Sequence, residues 1–182
     1  MTMSRYRGRL LVLAAIACGL VAIGGVSASA EGDGQIVKLG DFQNWSAFAL
    51  SEAGSKTCYM ASEPNSTPTL TGRAKQFAFV THRPDKKALN VLTIFSGYIF
   101  EPSSRVTLEI GPRRFTLFTD IDAAWAGEAD LDEQMVKAMR VGKTMVVRGR
   151  MTDGTETADT YGLAGFAQAY KRIADECKVP IK

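Results

Sequence analysis

Residues 76–84 read QFAFVTHRP. Phe77, Phe79 and Thr81 recur every second position, so an extended chain puts them on one face. Arg83-Pro84-Asp85 ends the segment, because proline removes a backbone donor and restricts the residue before it. This is the pattern of a half-buried strand, and it repeats in both directions along the chain. Upstream lie residues 45–51 (WSAFALS), 57–62 (TCYMAS, closed by Glu63-Pro64-Asn65) and a weaker run at 36–39. Downstream lie 90–95 (NVLTIF) and, after Ser96-Gly97, the run 98–100 (YIF), followed by the turn at 101–104. Residues 106–110 and 114–119 flank Gly111-Pro112-Arg113, which reads as a hairpin connection. Residues 143–150 (KTMVVRGR) form a further strand, with Asp153-Gly154 turning after it. Asp153 and Glu156 in DGTETAD lack the register of a calcium loop and read as part of that turn.

Two segments follow a helical period instead. In 132–140 (DEQMVKAMR), Met135, Val136 and Met139 share a face; acids lead, Arg140 ends the run, and Gly142 follows. In 163–177, Phe166, Ala169, Tyr170, Ile173 and Cys177 form an apolar stripe, with Gly162 and Gly165 weakening the first turn. The predicted fold is therefore mainly β: a single antiparallel β-sandwich or irregular barrel of about eight to ten short strands, with two short helices, the second at the C-terminus. No internal repeat, linker or low-complexity tract divides residues 31–182, which read as one domain.

The N-terminus carries a different signal. Arg5, Arg7 and Arg9 precede an apolar run at 10–26, and Ala28-Ser29-Ala30 follows. A basic start, an apolar stretch and a small-residue exit predict a secretory signal peptide over residues 1–30, cleaved after Ala30. The arginines do not form an Arg-Arg pair, so a twin-arginine signal is not expected. Ala15-Ile16-Ala17-Cys18 approximates a bacterial lipidation site but has Ala15 where leucine is usual. Membrane association is expected only if Cys18 is lipidated or the leader is retained. Residues 1–30 hold three arginines and no acid, so cleavage lowers Lys+Arg from 22 to 19, equal to the 19 Asp+Glu. A neutral mature chain gives no support for nucleic-acid binding.

Few residues offer chemistry. His82 is the single histidine, which leaves a histidine-based zinc site short of ligands and a Ser-His-Asp arrangement with one candidate. Neither a G-x-S-x-G elbow nor a phosphate-binding glycine loop is present. Asp120 and Asp122, before Trp125, could supply a carboxylate pair for glycoside hydrolysis. With Asp130, Asp132 and Glu133, they also read as a solvated loop entering a helix, where acids are favourable. Trp45 reads as core and Trp125 as partly exposed. The expectation is no catalytic, cofactor-binding or metal-binding residue and no cofactor. The residues assigned to a possible partner surface are Trp125, Tyr98, Arg113, Arg114 and His82.

These features combine into a resemblance spread over about 130 residues: Trp45, CYMASEP around Cys58, Arg73, VTHRP at 80–84, GYIF at 97–100, AAW at 123–125, AM followed by Gly142, DTYGLAGFAQA at 159–169, and Cys177. In their order and spacing they resemble the invasion-associated locus B family of alphaproteobacterial envelope proteins. The resemblance implies a mainly β, periplasmic or secreted protein, with some members linked to host-cell entry and no catalytic site to transfer. Many members carry a further cysteine shortly after the first tryptophan, whereas this chain reads Trp45-Ser46-Ala47-Phe48-Ala49.

Export places the two remaining cysteines in an oxidising space, which predicts a Cys58–Cys177 disulfide. The function expected is an exported, non-enzymatic protein that binds a protein or glycan of the cell envelope or host surface. A periplasmic module binding carbohydrate or another envelope polymer through Trp125, Tyr98 and nearby acids is the alternative. A hydrolase using Asp120 and Asp122 is a third reading.

Overall fold

The computed structural model describes residues 34–181. The leader over 1–30, cleavage after Ala30 and Cys18 lie outside the described residues. Ten strands form one open sheet: β1 (Gln35–Phe42), β2 (Trp45–Glu52), β3 (Ser55–Ser62), β4 (Phe77–Arg83), β5 (Ala88–Phe95), β6 (Arg105–Ile110), β7 (Arg113–Asp120), β8 (Ala123–Trp125), β9 (Thr144–Arg150) and β10 (Glu156–Gly162). Helix α1 (Ala129–Val141) precedes β9, and α2 (Phe166–Glu176) follows β10. The strand order is β1-β2-β3-β4-β5-β8-β7-β6-β9-β10, with every pairing antiparallel. The mainly β architecture with a C-terminal helix is the one expected, and the sheet does not close on itself.

Alternation decides which side chains go inside. Along β4, Ala78, Val80 and His82 are buried while Phe77, Phe79 and Thr81 face outward and are half-exposed. The inner face of β2 and β3 supplies Trp45, Ala47, Cys58 and Met60, and β5 supplies Leu92 and Ile94. Both helices contribute to this core, α1 through Met135, Val136 and Met139, α2 through Phe166, Ala169, Tyr170 and Ile173. The first turn of α2 begins only after Gly165, which has φ +87° and lies so close to the Phe42 carbonyl that a Cβ would collide with it.

The structure departs from the sequence reading, or adds to it, in three places. The run 98–100 is a loop with one isolated bridge, Phe100 to Met151, because Gly97 turns at φ +72° and the Ser96 hydroxyl bonds back to the Tyr98 carbonyl. Residues 123–125 form a strand too short for alternation to reveal. Residues 156–162, read only as the end of a turn, form β10, whose inward positions are Thr157, Asp159 and Tyr161. Polar residues on the inner face hide the apolar period.

The disulfide is formed. Cys58 of β3 and Cys177, just beyond α2, have Cα atoms 5.9 Å apart across a sequence separation of 119. Closing such a loop in the unfolded chain corresponds to about 4–5 kcal/mol in the chain-entropy picture. Lys56 and Glu176 form an ion pair at 2.7 Å beside it.

A second fastening acts on the loop between β3 and β4. Ser66 makes an antiparallel bridge to Thr160, which covers part of the edge of β10. Gly162 donates its N–H to Asn65 Oδ1 at 2.6 Å. Arg73 lies with 3% of its side chain exposed and grips Asp159, equally buried, with both terminal nitrogens, at 2.9 and 2.5 Å. Its Nε donates to the Ser96 carbonyl at 2.9 Å, and its guanidinium lies 5.0 Å from the centre of the Tyr98 ring.

Two titratable groups in the core have opposite tendencies. His82 is fully buried in register with Cys58; its Nδ1 accepts the Asn90 N–H at 3.1 Å and its Nε2 has no partner. Burial lowers its pKa to about 4. Asp132 is not in a solvated loop as expected: it is 6% exposed and accepts the Leu92 N–H at 3.0 Å. Burial raises its pKa to about 6, partly offset by that hydrogen bond.

Breaking the buried Arg73–Asp159 pair from one side leaves an uncompensated charge. Arg73→Met is expected to lose roughly 3–5 kcal/mol in denaturant unfolding. The Arg73→Met, Asp159→Leu double variant is expected to recover most of that loss. A double variant no better than the single would contradict this.

The pH dependence follows from the two buried groups. The contribution of Asp132 is present at low pH and is lost as pH rises through about 6. That of His82 is present above its ordinary value and is lost as pH falls through about 4. The two oppose each other across the acidic range. Asp132→Asn keeps an oxygen for the Leu92 N–H. It is expected to be about 2–3 kcal/mol more stable than the parent at pH 8 and to lose stability more steeply from pH 6.5 to 4. Thermal melts across pH check both.

Candidate functional site

The outer face of the sheet is the surface that the two helices leave uncovered. The strand registers align its side chains in rows. One row runs from Ser46 through Ala61, Phe79, Thr93 and Trp125 to Phe118, across six strands. A second runs from Phe48 through Tyr59 and Thr81 to Val91, and a third from Phe77 through Phe95 to Ala123. Neither aromatic nor hydroxyl positions in these rows carry a charge.

The rings support one another. Phe48 and Tyr59 stack with centroids 5.1 Å apart, and Tyr59 lies 6.1 Å from Phe79. Phe79 in turn contacts Phe77 at 5.8 Å and Phe95 edge-on at 5.7 Å. Such pairs contribute about 0.5–1.5 kcal/mol each beyond burial. Burial also raises the Tyr59 pKa, so the phenol is neutral under ordinary conditions. The rows end in charge. Arg105 lies opposite Phe118 and places its guanidinium 3.7 Å from that ring's centre, and Asp120 lies opposite Ala123. Beyond Arg105, on β6, β9 and β10, the face is ion-paired: Arg148 with Glu109 at 3.3 Å, and Arg150 with Glu156 at 2.9 Å.

The residues expected at a partner surface fall in different places. Trp125 is half-buried on the outer face, between Thr93 and Phe118. Arg113 and Arg114 are exposed where β7 begins, and Arg114 pairs with Glu109 at 3.2 Å. Tyr98 is 8% exposed, its hydroxyl 2.7 Å from Thr157 Oγ1. It belongs to the core and forms no platform with Trp125. His82 is inaccessible for the reason already given. Asp120 is exposed; Asp122, in the two-residue turn that follows it, uses its backbone carbonyl to accept the Ser96 N–H at 2.9 Å. Among the described residues, no group of three or more His, Cys, Asp or Glu could hold a metal ion.

The outward rings Phe48, Tyr59, Phe79, Phe95 and Phe118 were absent from the sequence-based list. Their two-residue spacing was visible, but which face of each strand points inward was not.

A cleft of about 250 Å³ lies between α1, α2 and β5. Arg140 there stands 5.6 Å from the ring of Tyr170, whose hydroxyl donates to Asn90 at 2.7 Å.

No curated protein matches this chain in sequence. Among solved structures, the crystal structure of invasion associated protein B from Bartonella henselae has the same fold. It is 16% identical in sequence, with a TM-score of 0.56, and the alignment covers 78% of this chain and 99% of that one. Residues 45–174 match the sequence profile described as invasion associated locus B protein. That span begins at the buried Trp45 and ends inside α2, and so takes in the strap, the paired Arg73 and Asp159, and the outer aromatic rows. The chain belongs to the invasion associated locus B family.

Proposed function

We propose that this protein is exported, acts in the envelope or outside the cell without catalysing a reaction, and binds an envelope or host-surface partner through the outer face of its sheet. The observation that carries the proposal is the uncharged set of aromatic and hydroxyl side chains across β2, β3, β4, β5 and β8, opposite the face buried by both helices. Contiguous apolar surface left in contact with water is a common mark of an interaction site. Export is supported by the basic, apolar and small-residue pattern of residues 1–30. A polymer-binding module is the alternative; it keeps Trp125 but loses Tyr98, which the core occupies.

Photo-crosslinking in the producing cell, combined with fractionation, tests this reading. A photoreactive residue at Phe79 or Thr93 is expected to give discrete adducts in the periplasmic, envelope or released fraction. The same probe at Lys171, exposed on α2, is expected to give none. Retention of the protein in the cytoplasm, or equal adducts from both sites, would overturn the proposal.

A further inference from the structure

Two isoleucines are exposed in adjoining loops at one end of the sheet. The turn between β7 and β8 consists of Ile121 and Asp122, and Ile121 has φ +53°. A β-branched residue in that region is a conformational outlier, and the first position of such a turn ordinarily holds glycine, asparagine or aspartate. The Ile121 side chain is also 67% exposed, so it gains little packing within its own fold. Ile99 stands beside it, 59% exposed between the buried Tyr98 and Phe100. Hydrogen bonds fix the two loops together: Phe100 N–H to the Ile121 carbonyl at 2.8 Å, and the Ser96 N–H to the Asp122 carbonyl at 2.9 Å. Behind the tips, Phe95 and Phe118 are 37% and 44% exposed.

We infer that Ile99 and Ile121 form a rigid prong that enters the headgroup layer of a zwitterionic lipid bilayer. This rests on the exported, surface-binding reading above and names its partner. The area available argues for lipid over a second copy. The four part-exposed side chains at this end of the sheet amount on their own to well under the ~800 Å² that each partner of a standard protein interface buries. A projecting tip also suits a soft, deformable layer.

The charges around the prong match the same partner. Asp120 and Asp122 flank Ile121, Glu101 follows the other loop, Arg105 covers Phe118, and Arg150 pairs with Glu101 at 3.6 Å. Both signs are present, without the basic excess that anionic lipid attracts. Headgroups that carry a phosphate and an ammonium offer a partner to each. A contact made by two loop side chains is a peripheral one. It is a route to membranes separate from lipidated Cys18 or a retained leader.

The test uses exported protein, with its N-terminus determined by mass spectrometry so that the apolar run at 10–26 is known to be absent. Flotation with phosphatidylcholine–phosphatidylethanolamine vesicles is expected to recover the protein, with little change up to roughly 0.5 M salt, where exposed charges are screened. The Ile99→Ser, Ile121→Asn double variant is expected to partition at least roughly tenfold less. Ile121→Asn alone is expected to melt at the same or a higher temperature, because asparagine tolerates the left-handed backbone. Failure of the parent to float, or a double variant that floats equally well, would overturn the inference. So would Ile121→Asn melting well below the parent, which would make the tip structural. A concentration-dependent dimer that the double variant abolishes would assign the tips to a second copy. If vesicles fail while Phe79 and Thr93 still crosslink, the lipid inference falls and the wider reading stands.

Discussion

Arg73 and Asp159 meet with almost no access to water, and much of the outer half of the molecule depends on that meeting. A buried charge is tolerable only when paired and hydrogen-bonded, and here the pairing is bidentate. The Thr67 hydroxyl also donates to Asp159, at 2.5 Å, and the remaining guanidinium nitrogen, Nε, reaches the Ser96 carbonyl. One side chain therefore anchors three pieces of chain distant in sequence: the strap after β3, strand β10, and the loop leaving β5. Lysine could not replace it, because a point charge lacks the planar fork that serves two carboxylate oxygens and a carbonyl together.

The disulfide does a different job at another place. It fixes the end of α2 to β3, where the helix packs against the inner face. His82 lies in register with Cys58 there, a juxtaposition that in another setting would suggest an activated thiol. Here the sulfur is bonded to Cys177, and the imidazole nitrogen Nδ1 already accepts the Asn90 N–H. Burial holds the ring neutral, and Tyr170 packs edge-on against it at 5.6 Å. The histidine is a packing element of the core.

Much of this was legible in the sequence where one physical rule acted alone. Alternation in residues 45–51, 57–62 and 76–81 located β2, β3 and β4, since a strand with one wet face must repeat every second residue. Counting the cysteines outside residues 1–30 located the disulfide. The failures lie where rules competed. Strand β10 turns Thr157 and Asp159 inward, and no period of hydrophobicity shows a strand whose buried positions are polar. Their partners, Tyr98 and Arg73, are 59 and 86 residues away, so the reason for those polar residues is not local. The same distance explains why Tyr98 was assigned to the surface. The aromatic rows show a different limit: alternation separated the two faces of a strand without saying which one is buried. Phe77 and Phe79 are larger than Ala78 and Val80, yet the smaller residues face the core to which both helices contribute. Face assignment depends on what covers the sheet, which no single strand records.

The exposed end of the sheet follows from these fastenings. Ile121 occupies a backbone region that costs an L-residue roughly 1–2 kcal/mol, and such strain persists only where neighbours over-determine it. The neighbours are identifiable: Phe100 holds the Ile121 carbonyl and Ser96 holds that of Asp122. Ser96 is itself held by Arg73. The strain at the tip is thus supported by the buried ion pair, through a chain of three residues with no flexible side chain after the first. An asparagine at 121 would have removed the cost with no loss inside the fold. Its absence directs attention outward, to whatever gains from an isoleucine held rigidly in water.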